Sequence, residues 1–308
     1  LELRDIVQIG DTTYCATGGG LMLYNNGDFE VYTTVDGLHK VDLITISKDK
    51  YRNVWLGGKS PNGFVQIYNI ENNNINIFDY GLTEITEFWV GDSIAFAAFI
   101  DGQDLGLIKW VYSDGEWSYR DIYRNFPFLI ESINGLEIIN NTVFLATDNG
   151  LLKADIIGNL KDPNTWTLVS NNFDGIIGAM CQTNNGFAFT FNENIYKVFY
   201  NNGTIQYEQL SIQMPVNFKD MLFDEEEFVW GINNRNVYSQ KNDFVPITTG
   251  KTLHTISSDN QGNIIIGSEL GLIVIDKISH EKNVYTPNSP ATGKFSAIKI
   301  LSDGRLVG

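Results

Sequence analysis

The chain has 308 residues, 43% of them hydrophobic and 13% aromatic, a balance that excludes a disordered or low-complexity polypeptide. Its 37 acidic residues outnumber 21 basic ones, and the net charge of −16 opposes nucleic-acid backbones and anionic membrane surfaces as partners. No apolar run is long enough for a membrane helix, so direct membrane insertion is not expected of this segment.

A block of about 41 residues recurs from end to end. In the first copy the triplet Thr13-Tyr14-Cys15 ends at a small anchor, Ala16. Gly20-Leu21-Met22-Leu23-Tyr24 follows, then an outer run from Phe29 to Thr33 and the turn Asp36-Gly37-Leu38. The second copy opens on Leu43-Ile44-Thr45-Ile46-Ser47 and reaches its anchor, Gly57, through Val54-Trp55-Leu56. The third has Ala98 at the anchor and an insertion, Ile100 to Leu105, before Gly106-Leu107. The fourth is regular, with Val143-Phe144-Leu145-Ala146 and Gly150-Leu151-Leu152. The fifth diverges, because Thr190 and Asn194 replace the anchor and the glycine. The sixth places its anchor at Gly231. The seventh, Leu253-His254-Thr255-Ile256-Ser257 and Ile264-Ile265-Ile266-Gly267, overlays the second almost residue for residue. Lys294 to Gly308 reads as the first two strands of a further repeat, with Gly308 at its anchor.

Short β-branched and aromatic runs bounded by Gly, Asn and Asp are strands and turns, and helical spacing is nearly absent. Each block therefore reads as four short strands, the blade of an all-β propeller. A sandwich would need roughly 90 to 100 residues per unit. The expected architecture is one propeller of seven four-stranded blades over 1–293, with 294–308 starting a further repeat or completing the ring. An eight-bladed ring closed by outside strands is the alternative. Leu1 is not an initiator methionine, so a removed leader and a longer parent protein are expected. Cys15 and Cys181 fall in distant blades and read as unbridged, small buried hydrophobes.

Val54-Trp55-Leu56-Gly57-Gly58, Phe144 to Leu151 and Asp36-Gly37-Leu38 together resemble the two-component-regulator propeller repeat. The resemblance spans the chain and is strongest in repeats one, two, four and seven. It implies a module of a bacterial hybrid sensor ectodomain, or of a surface protein of the PorZ type associated with type IX secretion. Periplasmic, extracellular or cell-surface placement follows from the same resemblance, as does a glycan or protein ligand. No catalytic residue carries over, because the matching positions are structural.

No nucleophile elbow, phosphate loop or dinucleotide fingerprint occurs. Ser113-Asp114-Gly115-Glu116-Trp117 is similar to a sialidase aspartate box, but it occurs once. His39, His254 and His280 fall in different repeat columns, which argues against a shared metal site. His254 stands out, because it lies on an inner strand where the matching copy has Ile44 and so faces the axial channel. Strand order places Asp36, Asp101, Asp104, Asp148, Glu193 and Glu269 on one rim with His39, as candidate ligand-binding groups. No cofactor is expected; Asp101 and Asp104 are the candidates should Ca²⁺ bind. The run Asp224 to Glu227 reads as a solvated turn on the opposite rim. Trp117 and Tyr123, with Trp110 and Phe126, are candidates for an exposed aromatic platform. The function read from this pattern is a non-enzymatic ligand- or protein-binding module. The alternative is a carbohydrate-active propeller, lyase or glycosidase, built around His254; a third reading, a structural spacer, predicts no deep polar pocket on the Asp36 rim.

Overall fold

The computed structural model describes residues 2–287, 299–300 and 306–307. Seven four-stranded antiparallel sheets follow one another, each built from consecutive strands in sequence order. Their inner strands are Leu3–Ile9, Leu43–Lys48, Glu84–Val90, Ile133–Ile139, Met180–Thr183, Asp220–Phe223 and Leu253–Ser258. Each inner strand packs on that of the next blade, and the last packs on the first, so seven blades close the ring. Lys299–Ile300 and Leu306–Val307 pair with each other in a separate two-stranded sheet. The rest of the expected 294–308 repeat lies outside the described residues.

The second strand of each blade is sandwiched between neighbouring blades, which is why it reads as an unbroken apolar run. Val54, Trp55, Leu56, Gly57 and Gly58 are all buried, as are their counterparts Val143 to Thr147. Asp28–Tyr32, an outer strand, holds only exposed and half-buried residues.

The small anchors are explained by the blade that follows. A Cβ on Gly57 would lie 2.7 Å from Ile85 Cγ2 of blade 3, and one on Gly267 would lie 3.1 Å from the Leu3 carbonyl of blade 1. The glycines ahead of the third strand meet a different demand. Gly20, Gly150 and Gly271 have φ of 129°, 109° and 133°, and a Cβ on Gly20 would lie 2.2 Å from the Tyr32 carbonyl. Thr17, Thr147 and Ser268 close these turns by donating to the carbonyl of the same glycine at 2.7, 2.6 and 2.8 Å.

Two sequence expectations are corrected. The anchor of blade 6 is Ile232 rather than Gly231, because Asp220 pairs with Ile232 as Thr45 pairs with Gly57. Gly231 is small because the Phe218 ring lies over it, 2.3 Å from where a Cβ would stand. The insertion of blade 3 is also no loop. Ile100 pairs with Leu105 and Asp101 with Asp104, so the hairpin simply runs further along the rim. Cys15 is buried, Cys181 is half-buried, and both are free thiols.

Candidate functional site: the axial cavity

All seven inner strands line one cavity of about 710 Å³ on the ring axis. Its chemistry follows from one register position, opposite the anchors. That position holds Asp5, Thr45, Glu87, Gly135, Asp220 and Thr255 in blades 1, 2, 3, 4, 6 and 7.

Two of these acids hold neighbouring blades together in the same way. Asp5 Oδ2 accepts from the Ile46 amide at 2.8 Å and from Thr45 Oγ1 at 2.9 Å, while its other oxygen accepts from the Ile6 amide. Asp220 Oδ2 accepts from the Ile256 amide at 2.9 Å, and its Oδ1 accepts from the Met221 amide at 2.8 Å. The preceding cations match as well. Arg4 Nη1 donates to the Leu43 carbonyl at 2.8 Å, and Lys219 Nζ donates to the Leu253 carbonyl at 2.9 Å. The near-identical second and seventh repeats are thus each gripped by a basic–acidic dipeptide in the blade before. That signal was present in the sequence, as Arg4-Asp5 and Lys219-Asp220 one repeat upstream of the matching copies.

Burial dominates the electrostatics of this layer. It pushes the Asp5 carboxyl up to about 6 against the pull of its three hydrogen bonds, and it raises Asp220 as well. Glu87 is held well above the ordinary carboxylate range, by burial first and then by Asp5, Asp220 and Glu137. Glu137, two positions deeper on blade 4, is pushed up to about 8 by burial.

The inner strands begin at the rim that carries the outer-to-inner connections, and there the cavity wall turns basic. His254 lines it, as its repeat column indicated. Lys219 Nζ lies 3.3 Å from His254 Nδ1, and burial, then Lys219, lowers the imidazole pKa. His254 Nε2 is 3.4 Å from Glu2 Oε1, and Arg4 Nε is 3.3 Å from Glu2 Oε2.

The other rim candidates are scattered among the connections and do not line this cavity. Asp36 caps a single 3-10 turn by accepting from the Thr33 amide and hydroxyl at 2.9 and 3.0 Å. Asp148 accepts from the Glu131 and Ser132 amides. Asp101 pairs with Arg124 at 2.9 Å, which commits one of the two carboxylates considered for Ca²⁺. Asp104 lies on a separate hollow of about 520 Å³ between blades 3 and 4, beside Phe126, Phe128 and Leu129. His39, Glu193 and Glu269 are exposed.

The aromatic platform is a correction. Trp117 is 4% exposed and Tyr123 is 7% exposed, so neither offers a face to solvent. Trp117 Nε1 instead donates to Asp49 Oδ2 at 2.7 Å, tying blade 3 to blade 2. Trp110 is also buried, and Phe126 packs edge-on against Trp166. Asp224 is a second correction to the solvated-turn reading. Its carboxylate accepts from the Phe228 amide and from Trp230 Nε1, and it pairs with Lys241 at 3.0 Å.

No protein-family profile matches the chain, and no curated protein does. Solved structures match its fold. PorZ, an essential surface component of the type-IX secretion system of Porphyromonas gingivalis, has a TM-score of 0.65 at 14% identity, over 99% of this chain and 41% of that one. The extracellular domain assigned to the hybrid two component system BT3049 of B. thetaiotaomicron has a TM-score of 0.63 at 12% identity, over 99% and 50%. The AfRom2 CNH domain has a TM-score of 0.62 at 8% identity, over 92% and 93%. This chain therefore spans half or less of the first two proteins, and at these identities the likeness is one of fold. The resemblance read from the repeats holds at that level: the chain is a seven-bladed propeller like those of PorZ and the Bacteroides two-component ectodomain.

Proposed function

We propose that this chain is a ligand- or protein-binding propeller module of a larger bacterial extracytoplasmic protein, a sensor or a surface component associated with secretion. The observation that carries this reading is the axial cavity, of about 710 Å³ and lined by charged or hydroxyl groups from six blades and by the Gln182 amide from blade 5. A structural spacer has no need of such a polar hollow. Placement outside the cytoplasm draws support from the extracellular and surface proteins that share the fold, each matched over nearly the whole of this chain. Among the described residues no helix is long and apolar enough to cross a membrane.

Screening the chain against glycans and envelope proteins tests the reading, with binding of at least one expected. Failure to bind any, together with cleavage of a polysaccharide, would replace it with the carbohydrate-active alternative. In that case His254→Ala abolishes turnover while the ring still melts cooperatively.

A further inference from the structure

The basic wall of the cavity mouth is arranged to receive an anion. Lys219 Nζ donates to the Leu253 carbonyl and to His254 Nδ1, and among the described residues it makes no ion pair with a carboxylate. Because Nδ1 accepts from Lys219, the imidazole proton belongs on Nε2. That Nε2 is buried and has no hydrogen-bond partner. Leaving a buried donor unpaired is costly, so the position calls for an acceptor.

Two carboxylates already meet these cations: Asp42 holds Arg4 Nη1 at 2.6 Å and leaves its Nε to the mouth, and Glu2 stands across the mouth itself. Glu2 places one oxygen 3.4 Å from His254 Nε2 and the other 3.3 Å from Arg4 Nε. Both distances exceed the roughly 2.7–2.9 Å of a good charge-assisted bond. Glu2 is also 47% exposed, so its carboxylate can swing into solvent. The acids below do not compete for these donors, since Asp5 and Asp220 are turned onto the amides of the following blades.

We propose that the mouth formed by Arg4, Lys219 and His254 binds the carboxylate of a small hydroxyl-rich acid, a sugar acid, and that Glu2 stands in for that carboxylate. The remainder of such a ligand meets Thr45, Thr86, Asn134, Gln182, Thr255 and Ser257, which line the same cavity and both donate and accept. An apolar acid would leave these groups unpaired. This inference rests on the binding-module reading and names its ligand class.

Calorimetric titration of the full chain with glucuronate and galacturonate, against glucose, galactose and an acidic peptide, is the test. The uronates bind, and their neutral counterparts bind at least about tenfold more weakly, the worth of one charge-assisted bond. Lys219→Met and His254→Phe each lower uronate affinity by about tenfold. Glu2→Gln, at a half-exposed position that leaves the fold intact, raises it severalfold by removing the competing carboxylate. Equal binding of acidic and neutral sugars, or an unchanged affinity in Glu2→Gln, overturns the site. Preference for the acidic peptide assigns the mouth to a protein partner and overturns the sugar acid. A neutral glycan bound without regard to His254 overturns this site while leaving the binding-module reading in place.

Discussion

Asp5 and Asp220 are held in place by the blades that follow them. Each satisfies a backbone amide at the inner edge of the next sheet, where water is displaced and an unpaired N–H would be expensive. The cost is a buried carboxyl layer with a defined pH dependence. The folded ring holds Asp5 at about 6 against an ordinary 3.8, and Glu137 at about 8 against 4.5. Between these limits the folded state keeps protons that the unfolded chain has released, so stability falls as pH rises. The contribution is complete below about pH 4 and is lost through pH 6 and then pH 8. Asp220 and Glu87, both raised by burial, act in the same direction. Asp79, drawn below its ordinary range by its bond to Lys40, acts the other way in more acidic solution, and His254, lowered by burial and then by Lys219, offsets part of the decline as pH rises toward its ordinary 6.5. The melting temperature is therefore expected to be higher at pH 5 than at pH 8, and Glu137→Gln flattens the decline above pH 6. A flat or rising profile over that interval, read by calorimetry, would count against the buried-carboxyl account.

The element that makes this fold readable is the second strand of each blade. Its small anchor recurs in five of the seven blades, Thr190 and Ile232 being the exceptions, because the next blade's inner strand presses on it as at Gly57 and Gly267, and a packing demand that repeats leaves a pattern in the sequence. Gly57→Ala puts a methyl 2.7 Å from Ile85 Cγ2 and 2.8 Å from Thr45 Cγ2. The overpacking costs about 1–3 kcal/mol, and urea denaturation measures it; an unchanged midpoint would show that blades 2 and 3 are loosely packed there. The same logic explains the misreading in blade 6. Gly231 is small for a local reason, the Phe218 ring, so composition alone identified the wrong residue as the anchor. Trp117 was misjudged because nothing in its own hairpin reveals that Asp49, 68 residues earlier, waits above it. Aromatic residues between blades and aromatic residues on a rim look alike until the neighbouring sheet is in place.

At the scale of the whole molecule, the ring closes without exchanging a strand among the described residues. Blade 7 meets blade 1 through side chains, with Leu3, Ile6, Cys15 and Met22 packed against Ile265 and Leu272. This joint relies on apolar burial, and among the described residues no shared sheet reinforces it. Leu272→Ala is expected to cost about 2–5 kcal/mol, and hydrogen exchange should then quicken in blades 1 and 7 before the others; uniform quickening would mean that the ring opens elsewhere. The blade count and the strand order were legible in the linear sequence, because period and alternation are local properties that each repeat states afresh. His254 was legible too, as an exception within a matched pair of repeats. The carboxyl layer, the groups that the Arg4-Asp5 and Lys219-Asp220 dipeptides grip, and the meeting of Glu2 with His254 were decided only by the tertiary structure. The clamps join neighbouring blades, and Glu2 meets His254 across the closing joint between blades 1 and 7. Closing the ring brings them together, and their separation along the chain carries no mark of it.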